Sequence, residues 1–184
     1  MKNKLKRFDD IFIELINGKM RNRHLDVFMY KITDLGGAIY TSLFLFLLLL
    51  FGNEKMRFIG LEAFGALTIS QSIVYLLKKA LSRERPYKII EHLNTFGIDM
   101  KDYSFPSGHT TASFSIATTV ALNMPKLSIY IFLVAMIIGI SRIYLGVHYP
   151  TDVAAGILLG LSVPLVVHFY LLEYINKFAQ KIWN

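Results

Sequence analysis

The sequence predicts an all-α integral membrane bundle of about five transmembrane helices led by a short amphipathic helix, and three observations predict it. The 184-residue chain is 54% hydrophobic with a mean hydropathy of +0.45, well above an ordinary soluble domain. Apolar segments recur at about residues 30–51, 57–80, 107–124, 127–145 and 150–173. Each is near the ~20 residues that carry a helix of ~1.5 Å rise across ~30 Å of hydrocarbon. Tight turns fit between them at 52–56 and 124–126.

In chain order, residues 1–24 read as an interfacial arm and 25–184 as the membrane-embedded domain. Lys2, Lys4, Lys6 and Arg7 imitate a signal-peptide start, but Asp9, Asp10 and Glu14 follow and no small-residue cleavage site does, so a removable signal is not expected. Phe8, Ile11, Phe12, Leu15 and Ile16 fall at helical spacing with the acidic residues opposite. That stretch is too short to span a bilayer and suits the interface. Asn17-Gly18 should end it, and Lys19, Arg21 and Arg23 link it to the first apolar segment.

If five helices alternate, the second ends, the third begins, the fourth ends and the fifth begins on one membrane face. A polar loop over 82–105 joins the second and third on that face, and an ordered loop of this length is usually functional. Cysteine is absent and the net charge is +7. There is therefore no disulfide framework or thiolate chemistry, and the positive charge suits anionic headgroups or substrates. The basic residues form no stripe on a polar domain, which argues against nucleic acid.

Three polar clusters converge on the shared face. Lys78 and Arg85 lie about two helical turns apart, and Pro86 turns the chain outward at Arg85. Lys offers a point charge and Arg a fork suited to phosphate oxygens. Lys79 and Arg83 read as an ordinary basic flank of a helix. Pro106-Ser107-Gly108-His109 opens the third helix, where backbone N–H groups and the helix dipole favour an anion and His109 can donate a proton. The hydroxyl-rich helix that follows reads as helix packing. In the third cluster, Arg142 lies near the end of the fourth helix, Gly146 breaks it, His148 follows, Pro150 starts the fifth helix and Asp152 falls in its first turn. Asp152 is expected to fold back on His148, fix its tautomer and raise its pKa. Three cations, two histidines and a carboxylate at a membrane surface suit a site that holds and hydrolyses a phosphate.

Other conspicuous residues stay outside that set. His24, His92 and His168 lack partners at motif spacing and read as loop or interfacial residues. Glu62, nearly five turns from Lys78, reads as half of a structural pair. Tyr149 and Trp183 read as interfacial anchors.

Lys-x6-Arg-Pro, Pro-Ser-Gly-His and Ser-Arg-x5-His-x3-Asp, in this order over about residues 25–173, resemble the type 2 phosphatidic acid phosphatase superfamily, whose active site is shared with vanadium haloperoxidases. The resemblance implies metal-independent hydrolysis of a lipid phosphate without a cofactor. It implies that His148 attacks phosphorus to form a phosphohistidine, supported by Asp152. His109 then protonates the leaving group, and Lys78, Arg85, Ser107, Gly108 and Arg142 hold the phosphate oxygens. The usual member has six spans; the trimmed N-terminus here resembles small bacterial undecaprenyl-diphosphate phosphatases. Undecaprenyl diphosphate is accordingly the expected substrate, with phosphatidylglycerophosphate or phosphatidic acid as the alternative. A non-catalytic lipid-phosphate-binding membrane protein is the alternative of another class. The resemblance also implies a multi-pass cell-membrane protein with its site on the extracytoplasmic face. The basic N-terminal arm argues for the opposite orientation.

Overall fold

The computed structural model describes residues 2–183, which are mostly helical with no strand among them. The elements are α1 (Lys2–Ile13) continued by a π-helical turn (Glu14–Lys19), α2 (Arg23–Ile32), a 3-10 turn (Thr33–Gly36), α3 (Ala38–Phe51), α4 (Glu54–Leu81), α5 (Pro86–Ile89), α6 (Gly108–Asn123), α7 (Ser128–Tyr144), α8 (Pro150–Val166), a second π turn (Val167–Leu171) and α9 (Leu172–Trp183). Among the described residues, three stretches are long and apolar enough to cross a membrane: Glu54–Ile89, Pro125–Tyr144 and Pro150–Phe178. Exposed apolar side chains such as Ile39, Phe51, Ile129 and Phe169 give the outer surface a lipid-compatible character.

The first predicted span is not one helix. Arg23–Gly36 and Ala38–Phe51 meet at 53° and make a fourth crossing only if taken together. The break has a packing cause. A Cβ at Gly36 would come within 2.7 Å of Ile138 Cγ2 and Ser113 Oγ, so the chain passes against α6 and α7 only as bare backbone. The third predicted span, α6, has 16 residues, which rise about 24 Å, short of a full ~30 Å hydrocarbon layer.

α6 is the centre of the bundle and packs on α4, α7 and α8. Its hydroxyls serve that packing: Thr111, Ser113, Thr118 and Thr119 donate to carbonyls four residues back, and Thr118 also reaches the Gly160 carbonyl at 3.0 Å. Gly156 and Gly160 let α8 touch α6, because a Cβ would meet the Ser107 carbonyl at 2.8 Å and Phe114 Cβ at 2.5 Å respectively. Small residues four apart are a common way to bring membrane helices together. This contact sets the start of α6 beside the start of α8.

The N-terminal arm runs further than predicted and does not stop at Asn17. That side chain is buried and clamps two distant segments, donating to the carbonyls of Tyr144 at 2.7 Å and Asn94 at 2.9 Å. Leu5, Phe8, Ile11, Phe12 and Leu15 are exposed, whereas Asp9 is buried against the bundle. The side chains of Lys2 and Trp183 lie outside the described residues. The loop between α5 and α6 is ordered by its own apolar residues, with Phe96, Ile98 and Met100 packed on Tyr144, Leu145 and Val147.

Glu62 is buried and paired. One carboxylate oxygen lies 2.8 Å from His168 Nδ1 and the other accepts from Asn123 Nδ2 at 2.8 Å. His168 is therefore a bundle residue in the second π turn, not the loop or interfacial residue expected from its lack of a motif. Lys79 keeps to the helix flank, over the Tyr75 ring at 4.5 Å.

Candidate active site

α4 stops where Ser82 takes a left-handed conformation (φ 45°) and returns its N–H to the Lys78 carbonyl. The chain then runs extended into Arg85 (φ −76°, ψ 149°), as the following proline requires. Arg85 thus lies beyond the end of α4, where Pro86 turns the chain, and one carboxylate draws it together with Lys78. Arg85 is fully buried. Its Nε donates to the Asp102 carbonyl at 2.9 Å, Nη1 to the Val147 carbonyl at 2.8 Å, and Nη2 to the Asp102 carboxylate at 2.6 Å. Lys78 pairs with the other oxygen of the same carboxylate. Burial alone would raise the Asp102 carboxyl, but the hydrogen bonds and charges of Lys78 and Arg85 hold it at about 2. The side chain of Asp102 nevertheless remains 51% exposed.

Ser107 caps α6 and Gly108 is the first helical residue, which leaves Pro106 ahead of the cap and not inside the helix. The N–H of Ser107 donates to the Asp152 backbone carbonyl at 3.1 Å. It is therefore not turned toward an anion as predicted; it ties α6 to α8. Gly108 lies in the first turn, whose N–H groups have no intrahelical partner, and its carbonyl accepts from Gln71 Nε2 at 3.1 Å. His109 follows on the side facing the break in the first span, where a Cβ on Gly37 would lie 3.4 Å from His109 Nε2.

The turn from α7 to α8 delivers the remaining residues. Gly146 has φ +66°, a conformation that side chains resist, and the carbonyl of Arg142 accepts from the N–H groups of Val147 and His148, each at 3.2 Å. Arg142 is buried; Nη1 donates to Thr33 Oγ1 at 2.8 Å, Nη2 lies 3.4 Å from Met100 Sδ, and Nε has no hydrogen-bond partner. His148 is 1% exposed, with Nε2 3.3 Å from Arg85 Nη1. Its Nδ1 faces Asp152 Oδ2 at 3.6 Å, beyond a hydrogen bond. Ser104 stands between them: its Oγ donates to Asp152 Oδ2 at 2.5 Å and lies 3.4 Å from His148 Nδ1. Asp152 also accepts from the Tyr149 N–H at 2.8 Å and from Arg83 at 2.5 Å.

Burial pushes His148 well below the ordinary histidine pKa, and Arg85, Arg142 and Lys78 push the same way. The predicted upward shift is therefore reversed in the free protein, because burial and the three cations outweigh the one charge that raises it, Asp102. Arg83 itself, read from sequence as a helix flank, is instead the bridge between Asp152 and Asp9, at 2.5 Å and 2.7 Å.

Lys78, Asp102, Gly108, His109 and His148 line a cavity of about 340 Å³ whose wall toward the bundle includes Leu67, Val74 and Ala112. The fold thus gathers all eight predicted site residues around one end of α6. Five contributors were not predicted: Asp9, Thr33, Arg83, Asp102 and Ser104. Asp102 and Ser104 carry a faint signal, since both sit within three residues of Phe105-Pro106 in a loop already expected to be functional.

Comparison with known proteins places this geometry in context. Residues 59–175 match the PAP2 superfamily. The chain is 35% identical over 115 residues to a Bacillus licheniformis protein named bacitracin transport permease protein BcrC, covering 62% of this chain and 57% of that one. It is 30% identical over 165 residues to the undecaprenyl-diphosphatase of Sulfolobus acidocaldarius, covering 82% and 80%. The crystal structure of Aquifex aeolicus LpxE superposes with a TM-score of 0.77 at 32% identity, covering 88% of this chain and 95% of that one.

Proposed function

This chain belongs to the PAP2 superfamily, and on that premise we propose that it is a multi-pass membrane phosphatase acting on a lipid phosphate through a phosphohistidine. The observation that carries the reading is the orientation of His148. Its Nδ1 is turned to Ser104 and Asp152, its Nε2 lies 3.3 Å from Arg85 Nη1, and the residue lines the cavity. A ring held on one nitrogen with the other facing a cluster of cations suits nucleophilic attack on a bound anion.

In the proposed reaction a phosphate displaces the Asp102 carboxylate from Lys78 and Arg85, while Gly108 N–H and the unpartnered Nε of Arg142 supply further donors. His148 Nε2 forms a bond to phosphorus as the bond to the lipid oxygen breaks, and His109 gives that oxygen its proton. Water then attacks phosphorus, His109 takes its proton, and the phosphorus–nitrogen bond breaks to release phosphate. Ser107 holds α6 in place rather than touching the anion.

The substrate we favour is undecaprenyl diphosphate, with phosphatidylglycerophosphate or phosphatidic acid next. The apolar cavity wall supports a lipid, and the likeness to an undecaprenyl-diphosphatase supports that choice among lipids. The site is proposed to lie on the extracytoplasmic face of a cell membrane, with α6 and the bent first span completing five crossings. The relative named as a transport permease raises a transporter reading, and a non-catalytic phosphate binder is another. Neither needs two histidines facing the same cavity. The test is phosphate release by detergent-purified protein from these lipids, with and without EDTA. Release that survives EDTA and is greatest for undecaprenyl diphosphate is expected. Release from none of them ends the phosphatase reading, and abolition by EDTA ends the metal-independent mechanism.

A further inference from the structure

Asp9 is 2% exposed although it belongs to an arm most of whose apolar residues, Leu5, Phe8, Ile11, Phe12 and Leu15 among them, face outward. One of its oxygens accepts from the N–H of Thr151 at 3.0 Å; the other accepts from Thr151 Oγ1 at 2.7 Å and Arg83 Nη2 at 2.7 Å. Thr151 lies in the first turn of α8, where a backbone N–H has no partner within the helix. Arg83 Nη1 continues the chain to Thr151 Oγ1 at 2.8 Å and Asp152 Oδ1 at 2.5 Å, with its guanidinium over the Tyr149 ring at 4.1 Å. The arm is pinned a second time by Asn17 on Tyr144 and Asn94. It is thus fixed against both ends of the turn that carries His148.

From this geometry we propose that Asp9 is a positioning residue: it holds Arg83 on Asp152, and through Ser104 and Asp152 it sets the ring orientation of His148. The proposal rests on the phosphatase reading above. A guanidinium shared between two carboxylates is fixed in direction, because each arm of its planar fork is committed. Remove the charge of Asp9, and Arg83 is free to swing toward Asp152 alone or toward solvent. Asp152 then loses a fixed partner on Oδ1, and the groups on Oδ2 reorient with it. The bound phosphate, held by Lys78, Arg85 and Arg142, is untouched.

The test uses the full-length protein in detergent with Asp9→Asn, Asp9→Ala and Asp9→Glu. Asp9→Asn keeps an oxygen for the Thr151 N–H but removes the charge on Arg83, which separates capping from positioning. Its kcat should fall about tenfold to a hundredfold, the scale of a misplaced catalytic group. KM and inhibition by inorganic phosphate should stay within about twofold. Inhibition by vanadate, which imitates the transition state, should weaken by the same factor as kcat, and Asp9→Glu should recover part of the rate. Asp9→Asn with an unaltered kcat, or with a loss carried wholly by KM, overturns the proposal. So does a loss confined to Asp9→Ala that follows a lowered melting temperature. If the wild type releases phosphate from no lipid, the phosphatase reading fails separately. Nitrogen NMR of His148 then decides: Asp9→Asn should change its tautomer signature, and an unchanged spectrum overturns the positioning role.

Discussion

Two clusters of buried ionisable side chains lie along α4, one around Glu62 and one around Lys78, and they are built on different terms. Glu62 meets one histidine and one amide, each at 2.8 Å, and both carboxylate oxygens are engaged. Around Lys78 the positive charges of Lys78 and Arg85 are paired with one half-exposed carboxylate, Asp102, while Arg142 makes no ion pair among the described residues and its Nε lacks a hydrogen-bond partner. The first cluster is closed and joins α4, α6 and the second π turn. The second has charge to spare, a half-exposed counter-ion that the proposed reaction exchanges for phosphate, and a cavity beside it. Burial of charge is common to both, so burial alone does not mark a site. Unmatched charge with a replaceable partner does.

The strongest challenge to that contrast is His148→Ala. Turnover should fall by roughly a thousandfold or more, yet inorganic phosphate should still raise the unfolding temperature, because the cations remain. Turnover within about tenfold of wild type would mean another group attacks phosphorus.

Asp102→Asn sharpens the comparison from the other side. Freed of their internal anion, Lys78 and Arg85 should bind inorganic phosphate about tenfold more tightly, equivalent to ~1.4 kcal/mol. Unchanged or weaker inhibition would show that Asp102 does not compete for the site. The same variant has a pH signature. A histidine whose pKa is depressed stays neutral below its ordinary ~6.5, and Asp102 is the charge that opposes the depression of His148. NMR titration should place His148 below that value in the free wild type and lower still in Asp102→Asn. A rise on losing the carboxylate would contradict the assignment.

The smallest effect on activity is expected at the closed cluster. Glu62→Ala should leave kcat/KM within about twofold while destabilising the fold by about 3–5 kcal/mol, the usual consequence of stranding one member of a buried pair. Activity lost without any loss of thermal stability would make the Glu62 cluster a second functional site.

What the chain disclosed before folding follows the same division. Helices at α4, α7 and α8 were legible because each carries a sustained apolar run, and Lys78, His109, Arg142, His148 and Asp152 because their spacing forms a pattern. The break at Gly36 and Gly37 was not, since hydropathy averages over it and its cause is contact with Ile138 and Ser113 from distant helices. Asp9 and Arg83 looked like ordinary charges on amphipathic or flanking stretches; their pairing exists only once α1 lies against α8. Thr33 gave no local sign of its bond to Arg142, more than a hundred positions away. His168 has no neighbour in sequence to mark it, because its partner, Glu62, comes from α4.

Asp152 carries a lesson about inferring descent of function. Its carboxylate reaches back to the Tyr149 N–H in a reciprocal cap that starts α8, and its backbone carbonyl receives the Ser107 N–H that docks α6. A descendant that had stopped hydrolysing anything would still need this residue to begin the helix. Its presence in a relative therefore certifies architecture and is silent about turnover. The side chain of His148 caps no helix, and under the mechanism proposed above its task is the attack on phosphorus, so a lineage drifting out of catalysis would be free to replace it early. In sorting working phosphatases from retired ones, the histidine is the informative letter and the aspartate is not.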